Sequence, residues 1–216
     1  MTVMRVTLAA ASALVAGVVL AGCGSATGGA GGGGGSAASP STSMSAPRLA
    51  VPPADGPVTG QGTVIEVPEK GPELCLGPVM ESFPPQCEGI PLAGWTWKTG
   101  SFEDGSSVGN PTKWGTYAVT GTFDGLTVTV TSSIPLALHD TVAPPSPRPM
   151  APPDLSAEEW AAIETGVRVI PGMLTSMREG DQGPVLVEVV HDDGTLQDWA
   201  DQAFGVGAVR LTSMLR

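Results

Sequence analysis

The chain is poor in basic residues, in histidine and in aromatic residues. Its 216 residues include 10 Lys and Arg against 21 Asp and Glu, with 2 histidines and 5% aromatic residues. A chain with so few cations lacks the positive surface that attracts nucleic acid or anionic lipid headgroups. We therefore expect no nucleic-acid partner and no direct adhesion to lipid headgroups.

Motifs for catalysis and for cofactors are also missing. The sequence has no Gly-x-Ser-x-Gly, and its glycine-rich tract at residues 28–35 neither follows a strand nor opens a helix, so it does not match a phosphate-binding loop. His139 lies beside a linker, and His191 precedes Asp192 and Asp193. A metal site on His191 is one interpretation, but a solvated turn is simpler because neighbours along a strand point to opposite faces. The sequence predicts no enzyme, no cofactor and no metal site.

The most distinctive stretch of the chain is an apolar run that ends in Leu20-Ala21-Gly22-Cys23. Arg5, the only charge before Cys23, supplies the positive start of a signal peptide, and the run is short for a spanning helix. Small residues before a cysteine are typical of a lipobox, where the leader is removed and the thiol is alkylated by a diacylglyceryl donor. We predict a lipoprotein signal peptide over residues 1–22 and a lipid anchor on Cys23. An ordinary secretory signal and an uncleaved anchor helix are the alternatives.

A lipidated Cys23 places the chain on the extracytoplasmic side of the cell membrane, with the membrane as its first partner. Residues 23–57 are rich in Gly, Ser, Ala and Pro and are predicted to form a disordered tether. Without the leader, 9 basic residues remain against 21 acidic ones, a net charge of −12. This charge favours solubility.

Residues 58–142 are predicted to form an all-β module. Two β-rich runs, Thr116–Phe123 and Leu126–Thr131, flank Asp124-Gly125, a pair typical of a two-residue type I′ hairpin turn. The run Gly62–Val67, ended by Pro68, Gly71 and Pro72, and the run Ile90–Trp97 are further predicted strands. The pattern indicates a small antiparallel barrel, OB-like, or a sandwich, and periodicity does not separate the two.

Two cysteines remain once Cys23 carries lipid. Cys75 and Cys87 form an even pair in an oxidising compartment, which predicts a disulfide. Closure of so short a loop stabilises the fold by roughly 3 kcal/mol on the chain-entropy estimate. The closed loop is either a rigid recognition loop or a structural staple for a small core.

Three of the tryptophans, Trp95, Trp97 and Trp114, lie in this β module. Trp95 and Trp97 share parity, so on one strand they would share a face. One hypothesis is a stacking platform for a sugar or another small ligand. The other is that the three rings fill the core of the module.

The module also carries the pattern Leu-Cys-Leu-Gly-x-Val, Pro-Pro-Gln-Cys, Gly-Trp-x-Trp and Trp-Gly-x-Tyr-x-Val-Thr-Gly-x-Phe-Asp-Gly. In this pattern, over roughly residues 62–131, the chain resembles a family of uncharacterised actinobacterial secreted proteins and lipoproteins. The resemblance implies an extracytoplasmic location and a small β module. The family has no assigned activity, so the resemblance implies no catalytic residues.

A proline-rich linker at residues 143–154 is predicted to separate the β module from a small α/β unit at residues 155–216. Ser156 and Glu159 form a capping-box pattern at the start of a helix. The runs Val185–Val190 and Ala208–Met214 flank a second helix, which Thr195 is expected to cap, and predict a parallel strand–helix–strand crossover.

The whole chain is therefore predicted to be an α+β lipoprotein. Its expected function is that of a lipid-anchored, non-catalytic interaction module whose partner is an envelope protein or a glycan. A small-ligand or glycan receptor that uses Trp95, Trp97 and Trp114 is the alternative function. An enzyme that uses His191 is the third.

Overall fold

A computed structural model describes residues 49–98, 100–140, 153–181 and 183–216. The predicted signal peptide, Cys23, most of the predicted tether and residues 141–152 of the predicted linker lie outside these residues. The described chain is mixed α+β, with two sheets and two short helices, which confirms the predicted class. None of its helices is long and apolar enough to cross a membrane.

The first sheet contains six strands, and its strand pairings form a cycle. The strands are β1 (Val58–Val67), β2 (Gly71–Cys75), β3 (Ile90–Ala93), β4 (Glu103–Asp104), β5 (Lys113–Phe123) and β6 (Val128–Pro135). Their order is β1-β2-β3-β6-β5-β4, and β1 also pairs with β5. The β3–β6 pair is parallel and the other pairs are antiparallel. Each long strand of this sheet therefore has a partner on both sides over part of its length.

Glycines make the close strand crossings of this sheet possible. A Cβ at Gly62 of β1 would collide with the carbonyl oxygen of Cys75, and a Cβ at Gly121 of β5 would collide with that of Thr129. Glycine in a strand interior commonly marks a bend or a close backbone approach. Inside the curved sheet lie the apolar side chains of the first core, among them Val64, Leu74, Tyr117, Val119 and Val128.

Two local predictions for this sheet were wrong. The β5–β6 loop spans four residues, 124–127, because Phe123 pairs with Val128, and the Asp124 carboxylate accepts the N–H groups of Leu126 and Thr127. The type I′ turn is thus replaced by an aspartate-capped loop, and Leu126 is 79% exposed. The third strand ends at Ala93, since Gly94 turns the chain with φ 75°.

The strand β1 ends at Val67, directly before Pro68, as the sequence predicts. The sequence does not predict β2. Glu69 and Gly71 adopt positive φ of 72° and 85° in a tight reversal, and β2 then pairs antiparallel with β1. Proline is tolerated here because Pro72 lies near the start of β2.

The second sheet has three strands and carries both helices. They are α1 (Ala157–Gly166), β7 (Met173–Arg178), β8 (Val185–Val189), α2 (Thr195–Phe204) and β9 (Val209–Ser213). The parallel β8–β9 pair with α2 between its strands confirms the predicted crossover. The edge strand β7 was not predicted; it pairs antiparallel with β8.

The helix starts follow from side-chain caps. Ser156 and Glu159 form the predicted capping box at α1. At α2 the cap residue is Gly194 rather than Thr195, and the Asp192 carboxylate accepts the N–H groups of Gly194 and Leu196. A carboxylate at this position satisfies N–H groups that have no partner within the helix.

The two sheets pack as parts of one compact unit. Val190 and Leu215, which follow β8 and β9, are buried in the core of the first sheet. Arg216 and Thr59 of β1 exchange backbone hydrogen bonds of 2.6 and 3.2 Å.

The described chain begins inside the segment assigned to the tether. Leu49 packs on the second core, Val51 and Ala54 pack on the first, and Pro52 is buried. The Ala54 N–H also donates to the Phe123 carbonyl at 2.9 Å. Residues 49–54 therefore lie against the folded unit, because they are more apolar than the Gly-rich stretch before them.

Candidate functional site

Trp95 and Trp97 follow β3 and pack on the first core. The two half-buried rings meet edge to face with centroids 5.2 Å apart, and both contact the buried Tyr117 ring, at 4.9 and 5.8 Å. The Trp97 indole N–H donates to the Glu66 carboxylate. The Trp95 indole nitrogen is buried and has no hydrogen-bond partner among the described residues. Most of the surface of these two rings thus serves the packing of this end of the core.

Trp114 lies elsewhere, on β5, opposite Glu103 of β4 in the register. Its ring is half-buried, and Phe83 meets it at right angles with a centroid distance of 5.3 Å. On another side, Gly105 approaches so closely that a Cβ there would lie 3.5 Å from the Trp114 ring. The structure therefore separates the three tryptophans into a packed pair and a single ring with an aromatic neighbour from the disulfide loop.

The disulfide loop is the element that supplies Phe83. Cys75 and Cys87 form the predicted disulfide, with Cα atoms 6.0 Å apart. Within the loop, Met80 and Gln86 form an antiparallel bridge, and the Ser82 hydroxyl donates to the Pro84 carbonyl at 2.8 Å. These hydrogen bonds connect the two sides of the loop. The Phe83 side chain lies on the surface of the loop and is 67% exposed.

An open groove of about 570 Å³ lies between the disulfide loop and Trp114. We call it the Trp114 groove; it is lined by Thr63, Pro85, Gly100, Ser101, Phe102, Glu103, Trp114, Gly115 and Thr116. Gly115 lies at the floor of the groove, where there is no room for a side chain. A Cβ there would lie 2.9 Å from both the Ser101 carbonyl and the Tyr117 ring. The groove combines aromatic rings with short polar side chains.

Three polar side chains of the groove are available for a ligand. Thr63 and Thr116 are directly opposed across the β1–β5 pair, and Glu103 is exposed at the rim. Within the described part of the chain, none of these three side chains forms a hydrogen bond or an ion pair. The concave surface thus offers two hydroxyls and a carboxylate beside Trp114, the usual pattern of apolar walls with a few polar groups.

The loop that carries Phe102 and Glu103 is fixed from both sides. The buried Tyr117 hydroxyl donates to the Ser101 carbonyl and lies 2.8 Å from the Ser101 hydroxyl. The Lys113 ammonium lies 5.7 Å from the centre of the Phe102 ring. Hydrogen bonds from Ser106 lower the pKa of Asp104, so this carboxylate beside the rim is charged at neutral pH.

Neither histidine lies in the Trp114 groove. The His191 Nδ1 is 3.2 Å from the Leu215 carbonyl oxygen, and its ring lies 6.0 Å from that of Phe123, where the two sheets meet. Asp192 caps α2, and hydrogen bonds from the hydroxyl and the N–H of Thr195 lower the pKa of Asp193. The described residues contain no group of three metal-ligating side chains.

The pairing of Phe83 with Trp114 is the feature of the site that the sequence did not predict. Both candidates were named, the disulfide loop and the tryptophan, but 31 positions separate the two residues in the sequence. The contact depends on the position of the loop beside β5, which no local pattern encodes. Comparison of the chain with protein-family models, with curated proteins and with solved structures finds no match.

Proposed function

We propose that the chain is a lipid-anchored, extracytoplasmic recognition module without catalytic activity, and that it binds its ligand in the Trp114 groove. The observation that carries the proposal is the Phe83–Trp114 pair at a concave surface with unpaired polar groups. Phe83 is 67% exposed although it is large and apolar, and a disulfide-closed loop holds it in place. Preorganisation of this kind lowers the entropic cost of binding.

The ligand class that suits the groove is a glycan. The C–H-lined face of a sugar ring stacks on an aromatic ring such as Trp114, while its hydroxyls accept from or donate to neighbouring side chains. Thr63, Thr116 and Glu103 offer such partners in the groove. A carboxylate at the rim and a mature net charge of −12 favour a neutral or positively charged saccharide over an anionic one.

The first sheet is, in this proposal, an OB-like barrel rather than a sandwich. The cycle of pairings β1-β2-β3-β6-β5-β1 and the parallel β3–β6 pair support it. Gly62 and Gly121 support it as well, since they permit the sharp bends that closure needs. Barrels of this type bind oligosaccharides and oligonucleotides elsewhere, and the acidic charge of this chain disfavours the second class.

The anchor is the other half of the proposal. Lipidation of Cys23 rests on the sequence Leu20-Ala21-Gly22-Cys23 after an apolar run. A diacylglyceryl group with a further acyl chain holds a protein stably at a membrane, where a single chain does not. Labelling cells with an alkyne fatty acid tests it: the natural chain is expected to take up label and a Cys23→Ala variant to take up none. An unlabelled natural chain would contradict the anchor while leaving the groove untouched.

The groove is tested by titrating the folded protein, disulfide intact, with neutral N-acetylglucosamine oligosaccharides in a calorimeter. We expect saturable binding that falls at least tenfold in Trp114→Ala, because this ring lines the groove. A smaller loss is expected in Phe83→Ala, because Phe83 packs against Trp114 beside the groove. Trp199→Ala is the matched control, since Trp199 is also half-buried but lies on α2 beside Phe204. Binding that survives Trp114→Ala, or no binding by the natural chain, would contradict the proposed site.

A further inference from the structure

The strand edges of this fold are covered unequally. In the first sheet the pairings form a cycle, so among the described residues its edge strand is β4, which has two residues. The second sheet has two edges, β7 and β9. An uncovered edge presents a row of backbone donors and acceptors, to which another strand adds readily.

The edge of β9 is covered by one side chain from α2. The Gln197 amide donates to the Val209 carbonyl at 3.0 Å and accepts from the Leu211 N–H at 2.9 Å. It also donates to the Asp201 carboxylate at 3.1 Å, which orients the amide. Gln197 thus occupies backbone groups that a neighbouring strand would use.

The edge of β7 has no such cover in the described part of the chain. No described side chain binds the outer backbone groups of residues 174–178. Met177, on this strand, is 66% exposed. Natural edge strands usually carry a lysine, a proline or a cover at such positions, so an exposed methionine here is a feature to explain.

An apolar groove adjoins the start of this edge. It has a volume of about 490 Å³, and its walls include Pro78, Met80 and Cys87 of the disulfide loop and Met173 and Leu174 of β7. Met80 is 65% exposed. Methionine side chains adapt to differently shaped apolar groups, and they are common at surfaces that bind peptides. We call this surface the β7 edge groove.

We propose that β7 and the β7 edge groove bind an extended segment of a partner protein, which adds to the second sheet as a fourth strand. Hydrogen bonds to the backbone of β7 supply the affinity, and the groove takes an apolar side chain of the segment, as in other cases of strand addition. Glu88 lines the groove, and the chain is acidic overall, so the segment carries Lys or Arg among its apolar residues. This site is separate from the Trp114 groove and does not depend on a glycan ligand.

The test is selection of random dodecapeptides displayed on phage against the immobilised, disulfide-bonded protein. We expect the enriched peptides to alternate apolar residues with Lys or Arg. Their affinity is expected to fall at least tenfold in Met177→Lys and in Met80→Glu. Met177→Lys places a charged side chain on β7, of the kind that disfavours the addition of another strand. Leu126→Lys is the matched control, since Leu126 is 79% exposed in the β5–β6 loop.

Circular dichroism and urea unfolding establish that each variant is folded before binding is compared. Trp114→Ala is expected to leave peptide binding unchanged, which separates this proposal from that for the Trp114 groove. The proposal is overturned if no peptide is enriched, or if the enriched peptides bind Met177→Lys as tightly as the natural chain. It is also overturned if β7 proves to be occupied by a second copy of the protein, as a concentration-dependent dimer lost in Met177→Lys would show.

Discussion

Truncation of Leu215 measures how strongly the two sheets support each other. Leu215 is the penultimate residue of the chain, yet it is only 1% exposed. Its side chain enters the core of the first sheet, so close to β1 that a Cβ at Gly60 would lie 2.7 Å from it. The residue therefore joins the strand–helix–strand part of the chain to the first core.

The expected cost follows from the burial. Leu→Ala in a well-packed core costs about 2–5 kcal/mol, so we expect about 3 kcal/mol here. With a urea dependence of about 2 kcal/mol per M for a protein of this size, the midpoint of unfolding falls by about 1.5 M. Leu126→Ala, at a position that is 79% exposed, is expected to change stability by less than about 0.5 kcal/mol.

The assay is urea unfolding followed by far-UV circular dichroism, with hydrogen exchange read separately for β5 and β8. Because Leu215 belongs to the first core, Leu215→Ala is expected to weaken protection in both strands together. Loss of protection in β8 alone, or a midpoint within 0.3 M of the natural chain, would refute the idea that this residue couples the sheets.

Three further predictions concern stability. Replacing Cys75 and Cys87 together by serine is expected to lower the free energy of unfolding by about 3 kcal/mol in urea unfolding, and an unchanged midpoint would contradict the role of the disulfide. Gly62→Ala is expected to cost more than about 4 kcal/mol or to abolish soluble expression, because its Cβ would collide with the carbonyl of Cys75, whereas Gly56→Ala meets nothing within 4 Å and should be tolerated. The pKa of Asp193 is lowered by hydrogen bonds from Thr195, so its contribution to stability is present above its ordinary pKa of 3.8 and is lost as the pH falls below that value towards the lower folded one. Acid titrations of the melting temperature are expected to be flatter for Asp193→Asn, and identical curves would contradict this.

Local sequence patterns predicted the elements whose signals are contained within a few residues. The capping box of Ser156 and Glu159 fixed the start of α1, because both partners lie within one turn. The crossover around α2 was also predicted, since a buried apolar run, an amphipathic helix and a second apolar run follow each other directly. The Cys75–Cys87 pairing followed from counting the cysteines that remain once Cys23 is assigned to lipid, together with the expectation of an oxidising compartment.

What the sequence did not predict depends on distant parts of the chain. The strand β7 has a mixed pattern, with Thr175 and Ser176 between methionines, and it exists because β8 pairs with it. The reversal before β2 needed positive φ at Glu69, a residue type that rarely signals it. The burial of Leu215 in the first core has no local signal at all.

The candidate site was predicted in its parts but not in its arrangement. Parity placed Trp95 and Trp97 on one face of a strand. In the structure both follow the end of β3, and they pack on Tyr117 instead of forming a flat platform. Trp114 is the candidate ligand contact because it lines a groove next to the disulfide loop that carries Phe83.

The most direct test of the central claim is a nuclear magnetic resonance titration that follows the indole N–H signals. The protein has five tryptophans, and each gives one such signal. The signal that shifts on titration therefore identifies the ring that contacts the ligand. With neutral N-acetylglucosamine oligosaccharides as the ligand, we expect the Trp114 signal to shift in a saturable way while those of Trp160 and Trp199 stay in place. A saturable shift at Trp199 with Trp114 unmoved, or no shift at any indole at millimolar oligosaccharide, would contradict the Trp114 groove as the binding site.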